Sequence, residues 1–157
     1  MITTQRLLLR RFTTDDTAAY TEMWLKKSFY QHLGTRQGIP ADAVPRMIDG
    51  WESSWGHGLG VYAVVEQATG QLIGHCGVRG LADGRVEIAY AYDDTSWGKG
   101  YATEAGEAVL AHHSHRPLIG VVYPDNPNSA KVLTKLGFEP NGQEVMFGAL
   151  LDSFLLK

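Results

Sequence analysis

One stretch of the chain decides its fold: VEIAYAYDDTSWGKGYATEA, residues 86–105. Its first seven residues are rich in β-branched and aromatic side chains, which is typical of a strand. A glycine-rich turn follows, and the apolar residues after Gly100 recur at helical spacing as far as about His113. Free N–H groups at the start of a helix attract anions, and Gly98 and Gly100 let a phosphate approach the backbone closely. The stretch therefore predicts a strand, a turn that can bind an anion, and a helix.

Two familiar phosphate-binding motifs do not match this turn. The dinucleotide fingerprint requires a third glycine where the chain has Thr103, and the P-loop requires a Gly-Lys-Ser/Thr sequence that is absent. A pair of glycines also suits a turn that binds nothing. Taken by itself, the turn leaves both interpretations open.

The segments on either side predict an α/β (α+β) fold with a mixed, largely antiparallel sheet. Short β-rich runs separated by turn sequences predict a meander before the turn, and one parallel step is expected across the helix that follows it. About seven strands are predicted, near residues 6–12, 61–66, 72–78, 85–92, 118–123, 144–150 and 153–156. About four helices are predicted, near residues 17–27, 42–54, 100–113 and 128–136.

Length and composition exclude several classes of protein. The 157 residues, 44% of them hydrophobic and 20% charged, suit a single domain over residues 1–157. The net charge of −3 offers no basic surface for nucleic acid. No apolar run is long enough to span a membrane, and the N-terminus lacks the features of a signal peptide. The single cysteine suits a reducing compartment, so we expect a soluble cytoplasmic protein.

A second segment carries polar residues at a strand end: YPDNPNSAKVLTKLGF, residues 123–138. Asn126 or Asn128 can cap the helix that follows, and Gly137 can end it. Together with WGKGYATEA at 97–105, TQRLLLRRF at 4–12 and LIGHCG at 72–77, this segment resembles the GNAT superfamily of N-acetyltransferases. The match is best to the ribosomal-protein N-terminal (RimJ/RimL-type) acetyltransferase subgroup, and it covers almost the whole chain.

The resemblance implies that acetyl-CoA is the co-substrate, that CoA is released and that no metal takes part. It implies a sheet splayed at the cofactor strand. The pyrophosphate turn falls on Trp97, Gly98, Lys99, Gly100, Tyr101, Ala102 and Thr103. Trp97 departs from the polar residue usual at the first position. The resemblance implies that pantetheine pairs with the backbone of the strand residues Ile88, Ala89, Tyr90, Ala91 and Tyr92. It also implies that Asn126 hydrogen-bonds the pantetheine and that Ser129 lies next to the thioester of the cofactor.

Catalysis in the family is direct attack of an amine on the thioester, which requires a neutral amine. Glu87, on the cofactor strand, is the candidate base, although a carboxylate here could equally be ion-paired or solvated. Many family members carry a tyrosine acid where this chain has Leu133. Ser129 is our candidate in its place, with Tyr123 second, and a thiolate can also leave without a dedicated acid.

The sequence does not identify the acceptor, and three possibilities stay open. They are a protein N-terminal amine, a small amine such as a polyamine or an antibiotic, and no acceptor at all, as in an acetyl-CoA-binding sensor or interaction module. Homodimers are common in the family, so a homodimer could form. The run His112-His113-Ser114-His115 resembles a metal site, but its place at a helix C-terminus explains the histidines better.

Overall fold

The computed structural model describes all residues from 1 to 157 and contains one eight-stranded sheet with helices on both faces. The strands are β1 (Ile2–Thr3), β2 (Leu7–Arg10), β3 (Gly60–Glu66), β4 (Gln71–Gly80), β5 (Val86–Tyr92), β6 (Leu118–Val122), β7 (Glu139–Met146) and β8 (Ala149–Leu156). The α-helices are α1 (Thr17–Trp24), α2 (Lys27–Tyr30), α3 (Val44–Ser53), α4 (Tyr101–His112) and α5 (Pro127–Lys135). No helix is both long and apolar enough to cross a bilayer.

The sheet runs in the order β1-β2-β3-β4-β5-β6-β8-β7 and is antiparallel except between β5 and β6. Strand β5 pairs with β4 along its whole length, from Val86 opposite Gly80 to Tyr92 opposite Gly74. It pairs with β6 at a single position, Glu87 beside Ile119. The two parallel strands therefore separate after Glu87, which confirms the predicted splay.

Each face of the sheet has its own apolar core. Helices α4 and α5 pack on one face, where Ile88 and Tyr92 of β5 join the larger cluster with Leu133. Helices α1, α2 and α3 pack on the other face, where Ala91 joins Tyr20, Phe29 and other aromatic residues. Because side chains alternate along a strand, Glu87 and Ala89 lie on the same face as Ala91.

The prediction of the last two strands was wrong in its boundaries. The predicted strand at 144–150 runs through the hairpin turn at Phe147 and Gly148, both of which have positive φ. Strand β7 begins earlier, at Glu139, and its register shifts between Pro140 and Gln143. The Pro140-Asn141-Gly142 sequence, which looks like a turn, is thus an irregularity within a strand. The structure also adds the two-residue β1 and the one-turn α2, giving eight strands and five helices where about seven and four were predicted.

Candidate functional site

A cleft of about 1500 Å³ opens where β5 and β6 separate. It extends from the turn before α4, past the start of α5, to the face covered by α1, α2 and α3. The structure brings together on its wall every predicted site residue except Lys99: Glu87, Ile88, Ala89, Tyr90, Ala91, Tyr92, Trp97, Gly98, Gly100, Tyr101, Ala102, Thr103, Asn126 and Ser129. These residues come from one strand, one turn and the starts of two helices.

The turn before α4 presents an unbroken row of backbone donors. Gly98 (φ +74°) and Gly100 (φ +80°) adopt the left-handed conformation that favours glycine. None of the six N–H groups from Gly98 to Thr103 donates to an acceptor in the protein, and α4 has no side-chain cap. Six free donors at the positive end of a helix dipole form a site for an anion such as a diphosphate.

Arg6, from the segment before β2, fixes this turn in place. Its guanidinium donates to the Lys99 carbonyl (2.7 Å) and to Glu104 (2.7 Å), and it lies 4.6 Å from the centre of the Tyr101 ring. Burial raises the pKa of the Glu104 carboxyl, but hydrogen bonds from Arg6 and Thr4 outweigh it, and the net shift is downward. Glu104 is therefore an ionised structural anchor, and sequence reasoning missed its partner Arg6.

Strand β5 turns part of its backbone toward the gap. Asp93 N–H bonds the Ile73 carbonyl, so the alternation of an antiparallel ladder directs the backbone groups of Ala89 and Ala91 to β4. Those of Tyr90 and Tyr92 face the side where β6 is missing. The Trp97 indole N–H donates to the Tyr92 carbonyl at 2.9 Å, which leaves the N–H groups of Tyr90 and Tyr92 available to a ligand. This alternation refines the predicted pantetheine strand.

The start of α5 faces the same gap. Asn126 caps the helix by accepting from Ser129 N–H at 3.4 Å, as its sequence position predicted. The Tyr90 hydroxyl lies 2.8 Å from Ser129 Oγ and donates to the Ser129 carbonyl at 3.1 Å. Burial raises the pKa of Tyr90 well above its usual value, so this phenol stays protonated. The hydrogen bonds between Tyr90 and Ser129 connect β5 to the start of α5 across the gap, and no pattern in the sequence predicted them.

The position usual for the tyrosine acid and our second candidate, Tyr123, have different surroundings. Leu133, where a tyrosine is common in the family, is buried in the core. The Tyr123 hydroxyl donates to the Gly34 carbonyl, and the Arg36 guanidinium stacks on the Tyr123 ring while it binds Asp125. Tyr123 therefore anchors the loop that follows α2.

Glu87 is buried (3% exposed) and ion-paired with Arg79, its cross-strand partner on β4. Arg79 Nε and Nη2 both lie 2.6 Å from Glu87 Oε1, while Oε2 receives no hydrogen bond from the protein. Both residues line the cleft. The sequence left open whether Glu87 is ion-paired, and the structure shows that it is. One of its carboxylate oxygens, Oε2, is not used in that ion pair.

A second buried polar group lies on the same face. His75 Nδ1 is 2.8 Å from the Tyr20 hydroxyl, which also accepts from the Trp51 indole N–H at 3.1 Å. Burial and, to a lesser extent, the charge of Arg79 lower the pKa of His75 to about 3, so the imidazole is neutral. A neutral histidine fits this aromatic wall as an uncharged packing residue.

A splayed sheet, an anion-binding turn and a carboxylate on the strand between them define a class of enzyme that binds a long phosphate-bearing co-substrate. The chain matches the family model of the GNAT acetyltransferase domain over residues 6–139, so it belongs to the GNAT family of N-acetyltransferases. The membership inferred from sequence is confirmed.

Individual relatives agree with this assignment. The chain is 24% identical to the N-acetyltransferase p20 of Bacillus licheniformis, over 97% of this chain and 92% of p20. It has the fold of the Salmonella typhimurium acetyltransferase that modifies the N-terminal serine of ribosomal protein L7/L12 (TM-score 0.81, 18% identity, 98% and 95% of the two chains). It also has the fold of AAC(6')-Ib, solved with ribostamycin and coenzyme A (TM-score 0.78, 16% identity, 98% and 94%).

Proposed function

We propose that residues 1–157 form one N-acetyltransferase domain that transfers the acetyl group of acetyl-CoA directly to a primary amine. The observation that carries this proposal is the row of six unpaired N–H groups at Gly98–Thr103, at the end of a strand whose neighbour has separated. The row suits a diphosphate, and the gap suits an extended amide-containing arm that adds to the free edge of β5.

Three groups of the cleft have separate roles in the proposed reaction. The backbone N–H of Tyr90 faces the gap and can stabilise the oxyanion that develops on the thioester carbonyl. Glu87 Oε2 can accept the proton that the attacking amine must lose. Ser129 Oγ, held by Tyr90, can donate a hydrogen bond to the leaving thiolate. The amine nitrogen bonds the acetyl carbon as the carbon–sulfur bond breaks, and no acyl-enzyme forms.

Two kinds of acceptor occur among proteins of this fold. One neighbour modifies the N-terminal serine of a ribosomal protein, and another was solved with the aminoglycoside ribostamycin. A protein N-terminus and a small amine are therefore both candidates here.

Thiol release from acetyl-CoA in the presence of amines and peptides tests the proposal. We expect release to depend on an acceptor and product mass to rise by one acetyl group. Calorimetry with CoA on the same preparation measures binding separately. Tight CoA binding without turnover of any amine would instead indicate an acetyl-CoA sensor, whereas no CoA binding would contradict the cofactor site itself.

A further inference from the structure

The end of the cleft that faces α3 has a small, polar floor. Glu87, Ala89 and Ala91 lie on one face of β5, and all three line the cleft with small or polar side chains. Glu87 is the one ionisable side chain in this row. A substrate amine that reaches the gap from this side must therefore pass beside Glu87 and its partner Arg79.

The Arg79–Glu87 ion pair leaves one hydrogen-bonding group of each side chain without a partner. Both short contacts converge on Glu87 Oε1, so Oε2 accepts nothing and Arg79 Nη1 donates to nothing in the protein. The guanidinium is held in place, because it also lies 5.7 Å from the centre of the Trp51 ring. A fixed donor and a fixed acceptor thus stand side by side at the floor of the cleft.

The remaining charges do not suit a polycation. Only two carboxylates line the cleft, Glu87 and Asp125, and Asp125 is bound by both terminal nitrogens of Arg36 at 2.9 and 2.7 Å. Four cationic side chains line it, Arg46, Arg79, Lys131 and Lys135, and only Arg79 pairs with Glu87. A polyamine or aminoglycoside would find no unpaired carboxylate here, whereas an acceptor that carries an anionic group would be favoured.

On the basis of the proposed function, we propose that the acceptor is a free α-amino acid with an apolar side chain. Its amino group lies at Glu87 Oε2 and its carboxylate at Arg79 Nη1. In an α-amino acid the ammonium group and the carboxylate group are both attached to Cα, so their opposite charges are complementary to an adjacent carboxylate and guanidinium. Arginine is well suited to bind a carboxylate, since its planar donors match the geometry of the two oxygens.

The residues that line the cleft beside Arg79 and Glu87 explain why the proposed acceptor has an apolar side chain. Trp51 and Met47 of α3 and Phe29 of α2 line the cleft on this side. His75, also on this wall, is neutral. In the reaction, the bound ammonium first loses one proton to solvent; the neutral amine nitrogen then bonds the acetyl carbon as the carbon–sulfur bond breaks, Glu87 takes the second proton, and CoA leaves as the thiolate. The acceptor carboxylate stays on Arg79 throughout and is not consumed.

The test compares L-leucine, L-leucinamide and the tripeptide Leu-Gly-Gly as acceptors for the full chain, by thiol release. The amide and the peptide are less basic than leucine and have more neutral amine, so chemistry alone favours them. We expect kcat/KM for leucine to exceed both by about tenfold or more, the effect of one charge-assisted contact. Equal or better turnover of leucinamide or the peptide would overturn the assignment while leaving the transferase function intact.

Two arginine variants locate the effect. Arg79→Lys keeps a positive charge beside Glu87 but loses the planar donors, so the leucine-to-leucinamide ratio should fall to near one. Arg46→Gln removes an exposed cation of the same cleft that has no ion-pair partner, and the ratio should hold. CoA calorimetry and thermal melts establish that each variant is folded. A ratio that survives in Arg79→Lys, or is lost only in Arg46→Gln, would refute the role of Arg79. Thiol release with none of these three amines, while other amines or peptides do release thiol, would overturn this acceptor and leave the transferase function intact; no release with any amine, despite CoA binding, would contradict the transferase function as well.

Discussion

Replacing Gly100 by glutamate tests the cofactor turn most directly. Gly100 has φ +80°, precedes α4 and contributes one of the six free N–H groups. A Cβ atom there would lie 3.5 Å from Arg6 Nη2, which is ordinary contact, so the substitution creates no clash. Its conformational cost is that of a left-handed non-glycine residue, about 1 kcal/mol of stability. The larger effect is electrostatic repulsion of the CoA phosphates, which lowers the affinity for CoA.

The expected loss of CoA affinity follows from Coulomb's law. A carboxylate roughly 7 Å from one phosphate charge costs about 2 kcal/mol at an effective dielectric constant near 20. Two phosphate charges double this figure, while salt and the neighbouring Arg6 reduce it, which leaves a net cost of about 3 kcal/mol. The dissociation constant for CoA should therefore rise roughly 100-fold.

Isothermal titration calorimetry with CoA measures this change, and Gly70→Glu is the matched control. Gly70 lies in the β3–β4 hairpin at φ +70°, has open space around its Cβ position and lies outside the cleft. It should suffer the same backbone strain and gain the same charge, yet bind CoA as the wild type does. Unchanged CoA affinity in Gly100→Glu, or an equal loss in Gly70→Glu, would refute the placement of the diphosphate at this turn.

Three further substitutions test the surroundings of the turn and the gap. Ser129→Ala should lower kcat about tenfold or more with little change in CoA affinity, because its hydroxyl faces the leaving thiolate; unchanged steady-state kinetics would remove Ser129 from the mechanism. Tyr90→Phe should also lower kcat, because Tyr90 acts by holding the Ser129 hydroxyl. The variant that carries both substitutions should therefore be no slower than Ser129→Ala alone, and fully additive losses of kcat would show that the two residues act independently. Glu104→Gln should lower the melting temperature at pH 7, because the hydrogen bonds from Arg6 are lost. Since the folded-state pKa of Glu104 is lowered, its stabilisation is present above the unfolded-state pKa and disappears as the pH falls through the folded-state pKa, so melts at decreasing pH should converge with those of the wild type.

The features that the sequence predicted correctly depend on neighbouring residues. Gly137 has φ +93°, and N–H bonds from Gly137 to Thr134 and from Phe138 to Leu133 complete a Schellman motif. The cap at Asn126 and the strand–turn–helix at 86–105 are local in the same way. Each is determined by the conformational preference or the hydrogen-bonding capacity of residues a few positions apart.

The features that the sequence missed join residues far apart in the chain. Arg6 and Glu104 are separated by 98 residues, and Tyr90 and Ser129 by 39. No periodicity links such positions before the fold is known. The Arg79–Glu87 pair is an intermediate case, because a hairpin around Asp83 and Gly84 places these two residues opposite one another. Correct register in that hairpin would have predicted the pair, and with it the partner of the candidate base.

The packing of Leu133 explains why position 133 offers no hydroxyl to the gap. A Cβ atom on Gly120 of β6 would come within 2.7 Å of Leu133 Cδ2, so the leucine fills the space beside a strand that has no side chain there. A tyrosine at 133 in the same orientation would have to extend its larger ring into this closed contact. The hydroxyl groups near the gap come instead from the cofactor strand, through Tyr90, and from the start of α5, through Ser129. Because burial keeps Tyr90 protonated, it can orient Ser129 without competing for the proton of the amine, which is consistent with our proposal that Glu87 is the base. In that proposal Glu87 and the Tyr90–Ser129 pair act from opposite faces of β5, Glu87 on the acceptor and the pair on the leaving thiolate.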